Sequence, residues 1–139
     1  MEILKTVYPS PKGDITLYTV TNAIGAKVTL SSLGAGIVRV EVPDAGGKLE
    51  NVAIGYSNPA DYFYDGPCAG KVPGRYANRI AKGHLVVEGK EYNLAINNGP
   101  NALHGGPEGF QNRIWESHTD GDSVVFTRIS PDGEENYPG

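Results

Sequence analysis

The sequence predicts an all-β protein, an antiparallel β-sandwich. Short segments in which apolar and polar side chains alternate recur along the chain, which is the pattern of half-buried strands. Glycine (19) and proline (10) together make up 29 of the 139 residues, a share that suits many tight turns. No apolar stripe with a 3.6-residue period is long enough for a major helix. These observations favour packed sheets over a helical or mixed fold.

The predicted strands follow one another in chain order and end where turn residues begin. Ile15 and Leu17 open the alternation, which continues until Pro43, a residue that cannot donate to a ladder. Residues 57–62 offer a Ser or Asn cap before a proline, so they predict the one short helical turn. The sequence EGKE at residues 88–91 predicts the turn of a hairpin. The predicted strands cover residues 14–20, 26–30, 34–42, 51–54, 85–87, 92–94, 113–117 and 123–129.

Length, charge and composition limit the possible functions. At 139 residues, a single domain is expected. The formal net charge of −4, with Lys and Arg scattered, argues against nucleic acid as a partner. No apolar run approaches the ~20 residues of a membrane helix, and the first residues lack signal-peptide features, so we expect a cytoplasmic protein with no membrane partner. The single cysteine, Cys68, excludes an internal disulfide.

Three histidines are candidates for chemistry, and one of them has distinctive neighbours. His104 lies between an Asn- and Pro-rich stretch and two glycines, where a ligand can approach the backbone closely. The alternative is an ordinary surface turn. His84 and His118 are expected to be exposed residues of loops or strand ends without a role. The histidines lack metal-ligand spacing, and Gly34-x-Gly36 opens a strand instead of a helix, so no metal and no cofactor is predicted.

A second candidate is the segment that contains Arg75, Asn78 and Arg79. Because the two arginines lie among small and apolar residues, at least one guanidinium should be held by polar groups or by a ligand. The donor fork of arginine and the amide of asparagine suit the adjacent hydroxyls of a sugar. The alternative is an arginine that ties loops together through backbone carbonyls.

A series of motifs resembles the aldose 1-epimerase, or galactose mutarotase, family from about residue 14 onward. In order, the motifs are GAGIVRVEVPD from Gly34, GY at residues 55–56, GRYANRI from Gly74, GKEY from Gly89, NALHGG from Asn101, GF at residues 109–110, Trp115 and SPDGEENYPG from Ser130. The family's domain is more than twice as long as this chain, so residues 1–139 are expected to be the N-terminal part of one such domain. The resemblance implies a large galactose-mutarotase-like β-sandwich with the sugar in a cleft on one sheet.

The resemblance also implies which residues face the sugar. The Asn-Arg pair of GRYANRI falls on Asn78 and Arg79, and the histidine of NALHGG falls on His104. All three are expected to bind a hexose, and His104 is also the expected catalytic residue, stabilising charge as the ring opens. The hairpin between them is expected to act as a rigid spacer that fixes their separation.

The implied reaction interconverts the α and β anomers of free hexoses such as galactose and glucose. An acid protonates the ring oxygen while a base removes the proton of the anomeric hydroxyl. In the family, these roles belong to a second histidine and a glutamate downstream of NALHGG, and nothing here matches their motifs. The chain alone is therefore expected to be inactive and to need the missing C-terminal portion of the same protein. The alternative is a non-catalytic carbohydrate-binding or scaffold fragment.

Overall fold

The computed structural model describes all 139 residues and confirms the all-β prediction. Strands provide most of the regular structure, and the helices are short 3-10 turns, none of them long and apolar enough to cross a membrane. The strands are β1 (Glu2–Tyr8), β2 (Ile15–Thr21), β3 (Lys27–Ser31), β4 (Gly36–Pro43), β5 (Leu49–Asn51), β6 (Arg79–Ile80), β7 (His84–Val87), β8 (Lys90–Asn93), β9 (Ala102–Leu103), β10 (Glu116–Asp120) and β11 (Ser123–Thr127). The 3-10 helices are Pro59–Tyr64, Ala81–Gly83, Phe110–Asn112 and Glu134–Asn136.

The chain forms two compact units. The first comprises Met1–Val72 and Ile114–Thr127, and the second comprises Pro73–Arg113 and Arg128–Gly139. A five-stranded sheet in the order β1-β2-β3-β4-β5 and the β10–β11 hairpin belong to the first unit. The β6–β9 pair and the β7–β8 hairpin belong to the second. All these pairings are antiparallel, as the alternation of the sequence predicts.

The core of the first unit forms on both faces of β2. Ile15 and Tyr18 are completely buried, and because they lie three residues apart in a strand, their side chains point to opposite faces. Ile15 packs with Leu33 and Tyr62. On the other face, the ring of Tyr18 meets Phe126 of β11 edge-on, with the ring centroids 6.1 Å apart. Residues of the same unit therefore cover β2 on both sides.

Most of the predicted strands differ from their predicted bounds by one or two residues, and β5 and β10 differ by up to three because other hydrogen bonds compete with the ladder. β5 ends at Asn51 instead of beginning there, since Oδ1 of Asn51 accepts the N–H of Val40 at 3.0 Å in place of a backbone carbonyl. β10 begins later than predicted, since Ile114 forms an isolated bridge with Leu33. β1 is the one strand of the five-stranded sheet that the sequence pattern does not predict.

The predicted helical turn at residues 57–62 is present as the 3-10 helix Pro59–Tyr64. Asn58 caps it, because its side-chain oxygen accepts the N–H of Ala60 at 3.0 Å. Pro59 occupies a first-turn position, where its missing N–H costs no hydrogen bond.

A buried ion pair follows this helix in the first unit. The side chains of Lys71 and Asp65 are inaccessible to solvent, and Nζ of Lys71 lies 3.5 Å from Oδ2 of Asp65. Lys71 also donates to the carbonyl oxygen of Tyr62 at 2.6 Å, and the hydroxyl of Tyr56 donates to Oδ1 of Asp65 at 3.0 Å. These hydrogen bonds offset part of the cost of removing two charges from water.

The second unit has a small core beneath a two-residue ladder. Its buried apolar side chains are Leu94, Ala102 and Tyr137, and Ile80 and Leu85 pack against them. Ile80 of β6 pairs with Ala102 of β9. Because these two residues belong to the ladder and to the core, packing in the core holds the ladder in place.

Candidate functional site

Asn78, Arg79 and His104 lie side by side in the second unit, and we call them the three-residue patch. Arg79 pairs with Leu103 in the β6–β9 ladder, so Asn78 precedes one strand and His104 follows the other. The N–H of His104 donates to the carbonyl oxygen of Asn78, and the N–H of Asn78 donates to Nδ1 of His104, both at 3.0 Å. The fold thus brings together the three residues that the motifs single out.

The hypothesis that the β7–β8 hairpin acts as a spacer is wrong. Asn78 and His104, the residues it was expected to hold apart, are hydrogen-bonded to each other. The two ends of the β7–β8 hairpin lie next to each other, since the N–H of Leu94 donates to the carbonyl oxygen of Gly83 at 2.8 Å. The ladder at the base of the hairpin therefore sets the separation of the patch residues.

The backbone of the patch adopts a conformation that few residues tolerate. Asn78 has a φ of 69° and His104 has a φ of 53°, both in the left-handed region that is costly for residues with a side chain. Gly105 follows with a φ of 82°, and a Cβ at this position would collide with the carbonyl group of Gly74. The turn after His104 therefore requires glycine, and the surrounding structure holds two strained residues against each other.

The hydrogen bond to Nδ1 determines what His104 can offer a ligand. In a neutral imidazole, one nitrogen donates and the other accepts. Because Nδ1 of His104 accepts the N–H of Asn78, the proton of the neutral ring is on Nε2. The half-buried side chain is therefore a hydrogen-bond donor through Nε2, which suits an oxygen that gains negative charge.

Arg79 is exposed, and its guanidinium is anchored by two amide oxygens. Nε donates to Oδ1 of Asn98 at 2.9 Å, and Nη1 donates to Oδ1 of Asn78 at 3.2 Å. These bonds use two of the five N–H groups of the side chain. Arg79 takes part in none of the ion pairs of the structure. Its remaining donors suit a ligand rich in oxygen acceptors.

Two asparagines that the sequence analysis does not single out support the patch. Asn97 forms two hydrogen bonds with the backbone of Leu103, one from its Nδ2 to the carbonyl oxygen at 2.9 Å and one from the N–H to its Oδ1 at 2.7 Å. Asn98 holds Arg79. The one sequence signal for them is the Asn-Asn pair directly before Gly99-Pro100, which by itself predicts only a turn.

Arg75 has the structural role that the sequence analysis leaves open. Its Nε donates to Oγ of Ser130 at 2.9 Å, and Nη2 donates to the carbonyl oxygens of Ser130 at 3.2 Å and Pro131 at 2.6 Å. Nη1 donates to the carbonyl oxygen of Pro138. Of the two arginines in the motif, Arg75 therefore ties loops together, and Arg79 keeps donors in solvent.

The other two histidines lie apart from the patch contacts. His84 is exposed at the start of β7, with Nε2 3.6 Å from a carboxylate oxygen of Glu91. His118 is exposed within β10 of the first unit. No group of His, Cys, Asp and Glu side chains is arranged to hold a metal ion.

Two adjacent carboxyl groups of the second unit have opposite pKa shifts. Hydrogen bonds from Arg128 hold the pKa of Glu134 below its ordinary value, and Ser130 adds to this effect. Burial raises the pKa of Glu135, whose carboxylate occupies the space that a Cβ on Gly106 would need. Glu135 therefore packs beneath the glycine turn that follows His104.

A groove of about 580 Å³ lies in the first unit, and none of the three patch residues lines it. Thr19 and Thr29, whose hydroxyls are hydrogen-bonded to each other at 3.1 Å, line it together with Lys27, Arg39 and Tyr56. The patch itself is an open surface around exposed Asn78 and Arg79.

Comparisons with known proteins agree with the motif resemblance. The family model described as aldose 1-epimerase matches residues 16–139. The chain is 44% identical over 131 residues to galactose mutarotase of Homo sapiens, covering 94% of this chain and 38% of that protein. It is 47% identical over 113 residues to galactose mutarotase of Sus scrofa, covering 81% of this chain and 33% of that protein. It is 36% identical over 124 residues to aldose 1-epimerase of Escherichia coli, covering 88% of this chain and 36% of that protein.

Solved structures give the same result for the fold. An aldose epimerase homologue from C. elegans has a TM-score of 0.82 and 30% identity, covering 98% of this chain and 39% of that one. Galactose 1-epimerase from Lactobacillus acidophilus has a TM-score of 0.84 and 28% identity, covering all of this chain and 42% of that one. The predicted fold class is therefore confirmed, and the chain spans about a third of the length of the curated relatives it matches.

Proposed function

Because this chain belongs to the aldose 1-epimerase family, we propose that it supplies the sugar-binding part of an enzyme that interconverts the α and β anomers of free hexoses such as galactose and glucose. The observation that carries the proposal is the reciprocal hydrogen bonding of Asn78 and His104 beside Arg79. It places an imidazole donor and a guanidinium with open donors in one exposed patch, as recognition of adjacent sugar hydroxyls requires.

Each patch residue has a separate role in this proposal. The open donors of Arg79 bind hydroxyl oxygens of the hexose. Nε2–H of His104 donates to an oxygen of the ring, and this bond strengthens as the oxygen gains negative charge during ring opening and closure. Asn78 holds both side chains, since its N–H binds His104 and its Oδ1 accepts from Arg79. No cofactor is needed for this chemistry.

The proton-transfer groups are proposed to lie in the part of the enzyme that this chain does not span. The hydrogen bonds of the patch connect it to backbone and amide groups alone, not to a carboxylate or a second histidine. General acid and base catalysis contribute about 10²–10⁴-fold each. We therefore expect the 139-residue chain to bind a hexose weakly and not to accelerate mutarotation. The match to residues 16–139 runs through both units, which supports the proposal that they are parts of one domain.

The same observation favours a second candidate function. A patch that can bind a sugar but has no proton-transfer group within hydrogen-bond contact also fits a non-catalytic carbohydrate-binding or scaffold fragment. The two candidates differ in whether proton transfer can be restored by adding the rest of the enzyme.

Polarimetry of freshly dissolved α-galactose separates these candidates. The chain is measured alone and then mixed with a separately expressed C-terminal portion of one of its relatives. Acceleration only after mixing supports an epimerase part. Absence of acceleration in a mixture that forms a complex supports the non-catalytic alternative, and acceleration by the chain alone would refute the proposed division of roles.

Binding is tested directly by titrating galactose into isotope-labelled chain and following amide shifts of Asn78 and His104. Arg79→Ala should weaken binding, so that the shifts saturate only at higher galactose concentrations, whereas Arg39→Ala, a matched change of an exposed arginine in the first unit, should leave the titration unchanged. Equal binding by the Arg79 variant would contradict the proposed site.

A further inference from the structure

We propose that Asn98 is a positioning residue that aims the guanidinium of Arg79 at the sugar. This inference rests on the proposed function, because it concerns how the same patch holds its ligand. It begins from the hydrogen bond of 2.9 Å between Nε of Arg79 and Oδ1 of Asn98. Of the three patch residues, Asn98 forms a hydrogen bond with Arg79 alone.

The bond from Nε is the one that fixes the guanidinium plane. An exposed arginine samples many rotamers, and ordering it costs conformational entropy. The bond from Nη1 to Oδ1 of Asn78 leaves the plane free to rotate about that contact, and the second bond, to Asn98, removes this freedom. Because of the bond to Asn98, the guanidinium of Arg79 is already ordered before the sugar binds, so binding costs less conformational entropy.

Asn98 is itself held by a tight turn. Its N–H donates to the carbonyl oxygen of Asn101 at 3.1 Å, and the N–H of Asn101 donates back at 3.0 Å. Oδ1 of Asn101 also accepts the N–H of Lys82 at 3.1 Å, so the turn is attached to the chain that follows β6. A rigid turn thus sets the position of the Asn98 oxygen relative to Arg79.

The neutral amide is the group that this role requires. An uncharged oxygen orients Nε but leaves the positive charge of Arg79 available to the ligand. A carboxylate at the same position would form an ion pair with the guanidinium and compete with the sugar oxygens. Asn98→Asp should therefore keep the geometry and still weaken sugar binding, whereas Asn98→Ala should lose the geometry.

The first test does not involve a ligand. Exchange of the Nε–H proton of Arg79 with water is followed by NMR, with the resonance identified by its absence in Arg79→Lys. We expect slow exchange in the unmodified chain and in Asn98→Asp, and exchange as fast as that of an exposed arginine in Asn98→Ala. Asn93→Ala is the matched control, because this exposed asparagine has no side-chain hydrogen bond to the patch.

The second test is a double-mutant cycle on galactose binding. Asn98→Ala should weaken binding about two- to tenfold, the effect of one hydrogen bond. It should cause no further loss in an Arg79→Ala background. Unchanged affinity in Asn98→Ala, or equal losses in both backgrounds, would overturn the positioning role.

The tests also distinguish failure of this inference from failure of the proposed function. If Arg79→Ala leaves galactose binding intact, the patch is not the sugar site. If Arg79→Ala weakens binding and Asn98→Ala does not, the site stands and the role of Asn98 is wrong. Fast exchange of the Arg79 Nε–H proton in the unmodified chain would show that Asn98 does not hold the guanidinium, whatever the outcome of the sugar-binding experiments.

Discussion

Replacing Arg75 with methionine should detach the C-terminal residues of the second unit. The guanidinium forms hydrogen bonds with Ser130, Pro131 and Pro138, which lie 55 or more positions further along the chain. Methionine retains an unbranched apolar side chain but loses every donor. The change therefore removes the hydrogen bonds while largely preserving the packing of the stem.

The expected loss follows from the number and exposure of these bonds. Hydrogen bonds to a charged group contribute about 1.5–3 kcal/mol each. The acceptor at Pro131 is exposed, so water replaces that bond at little cost, whereas the bonds to Ser130 and Pro138 are partly buried. The contributions of bonds from one guanidinium are not additive, and water can reach the freed acceptors in part, so we expect Arg75→Met to lower the free energy of unfolding by about 2–4 kcal/mol. This is a large share of the stability of a typical domain.

The assay is urea unfolding followed by circular dichroism, together with amide hydrogen exchange at Gly133 and Tyr137, whose N–H groups bond within the segment. Exchange at these two sites should quicken more than exchange in β2. Arg39→Met is the control, since its exposed ion pair with Glu41 should be worth less than about 1 kcal/mol. A loss below about 0.5 kcal/mol for Arg75→Met, with exchange unchanged, would refute the view that Arg75 ties the loops together.

Three further predictions concern the patch and its surroundings. Arg79→Lys should weaken galactose binding by about 1–3 kcal/mol, because an ammonium cannot replace a planar fork of donors; an unchanged dissociation constant in the titration would contradict this. Gly105→Ala should lower the free energy of unfolding by more than about 1 kcal/mol, because its φ of 82° is strained for alanine and the added Cβ would collide with the carbonyl group of Gly74. Urea unfolding measures this free energy, and an unchanged value would contradict the prediction. Because Arg128 lowers the pKa of Glu134, ionised Glu134 stabilises the fold at pH values above its ordinary pKa of 4.5, and this contribution should be lost as the pH falls through the lower folded-state pKa. Glu134→Gln should therefore reduce the fall in the free energy of unfolding at acid pH. An unchanged pH dependence would count against the interaction of Glu134 with Arg128.

The difference between β2, which the sequence predicts, and β1, which it does not, follows from how their apolar residues are spaced. In β2, Ile15 and Leu17 share one face and pack against the same core, so the period of two is visible in the sequence. In β1, the apolar residues Ile3 and Leu4 are adjacent, and Leu4 is 59% exposed, so burial does not impose an alternating pattern. A strand that is stabilised mainly by pairing with its neighbour therefore has no alternating pattern by which the sequence could predict it.

The members of the patch could be expected from the sequence, but their arrangement could not. Asn78 and His104 are 26 positions apart, and their contact depends on the register of a ladder of two residues on each strand. Such a ladder is too short to produce a periodic pattern. The side chains of Asn97 and Asn98 bind Leu103 and Arg79, and the register of the ladder sets the positions of these two residues. The sequence around the two asparagines therefore predicts only a turn.

The buried pair of Lys71 and Asp65 also affects how the chain selects its native state during folding. A collapsed, misfolded state that placed these residues apart would bury two separated charges, at a cost of several kcal/mol. Two apolar residues at the same positions would impose no such penalty, because they pack acceptably against many neighbours. We therefore expect the pair to discriminate against misfolded compact states that bury the two charges apart, even though an ion pair of this kind adds little net stability to the native state.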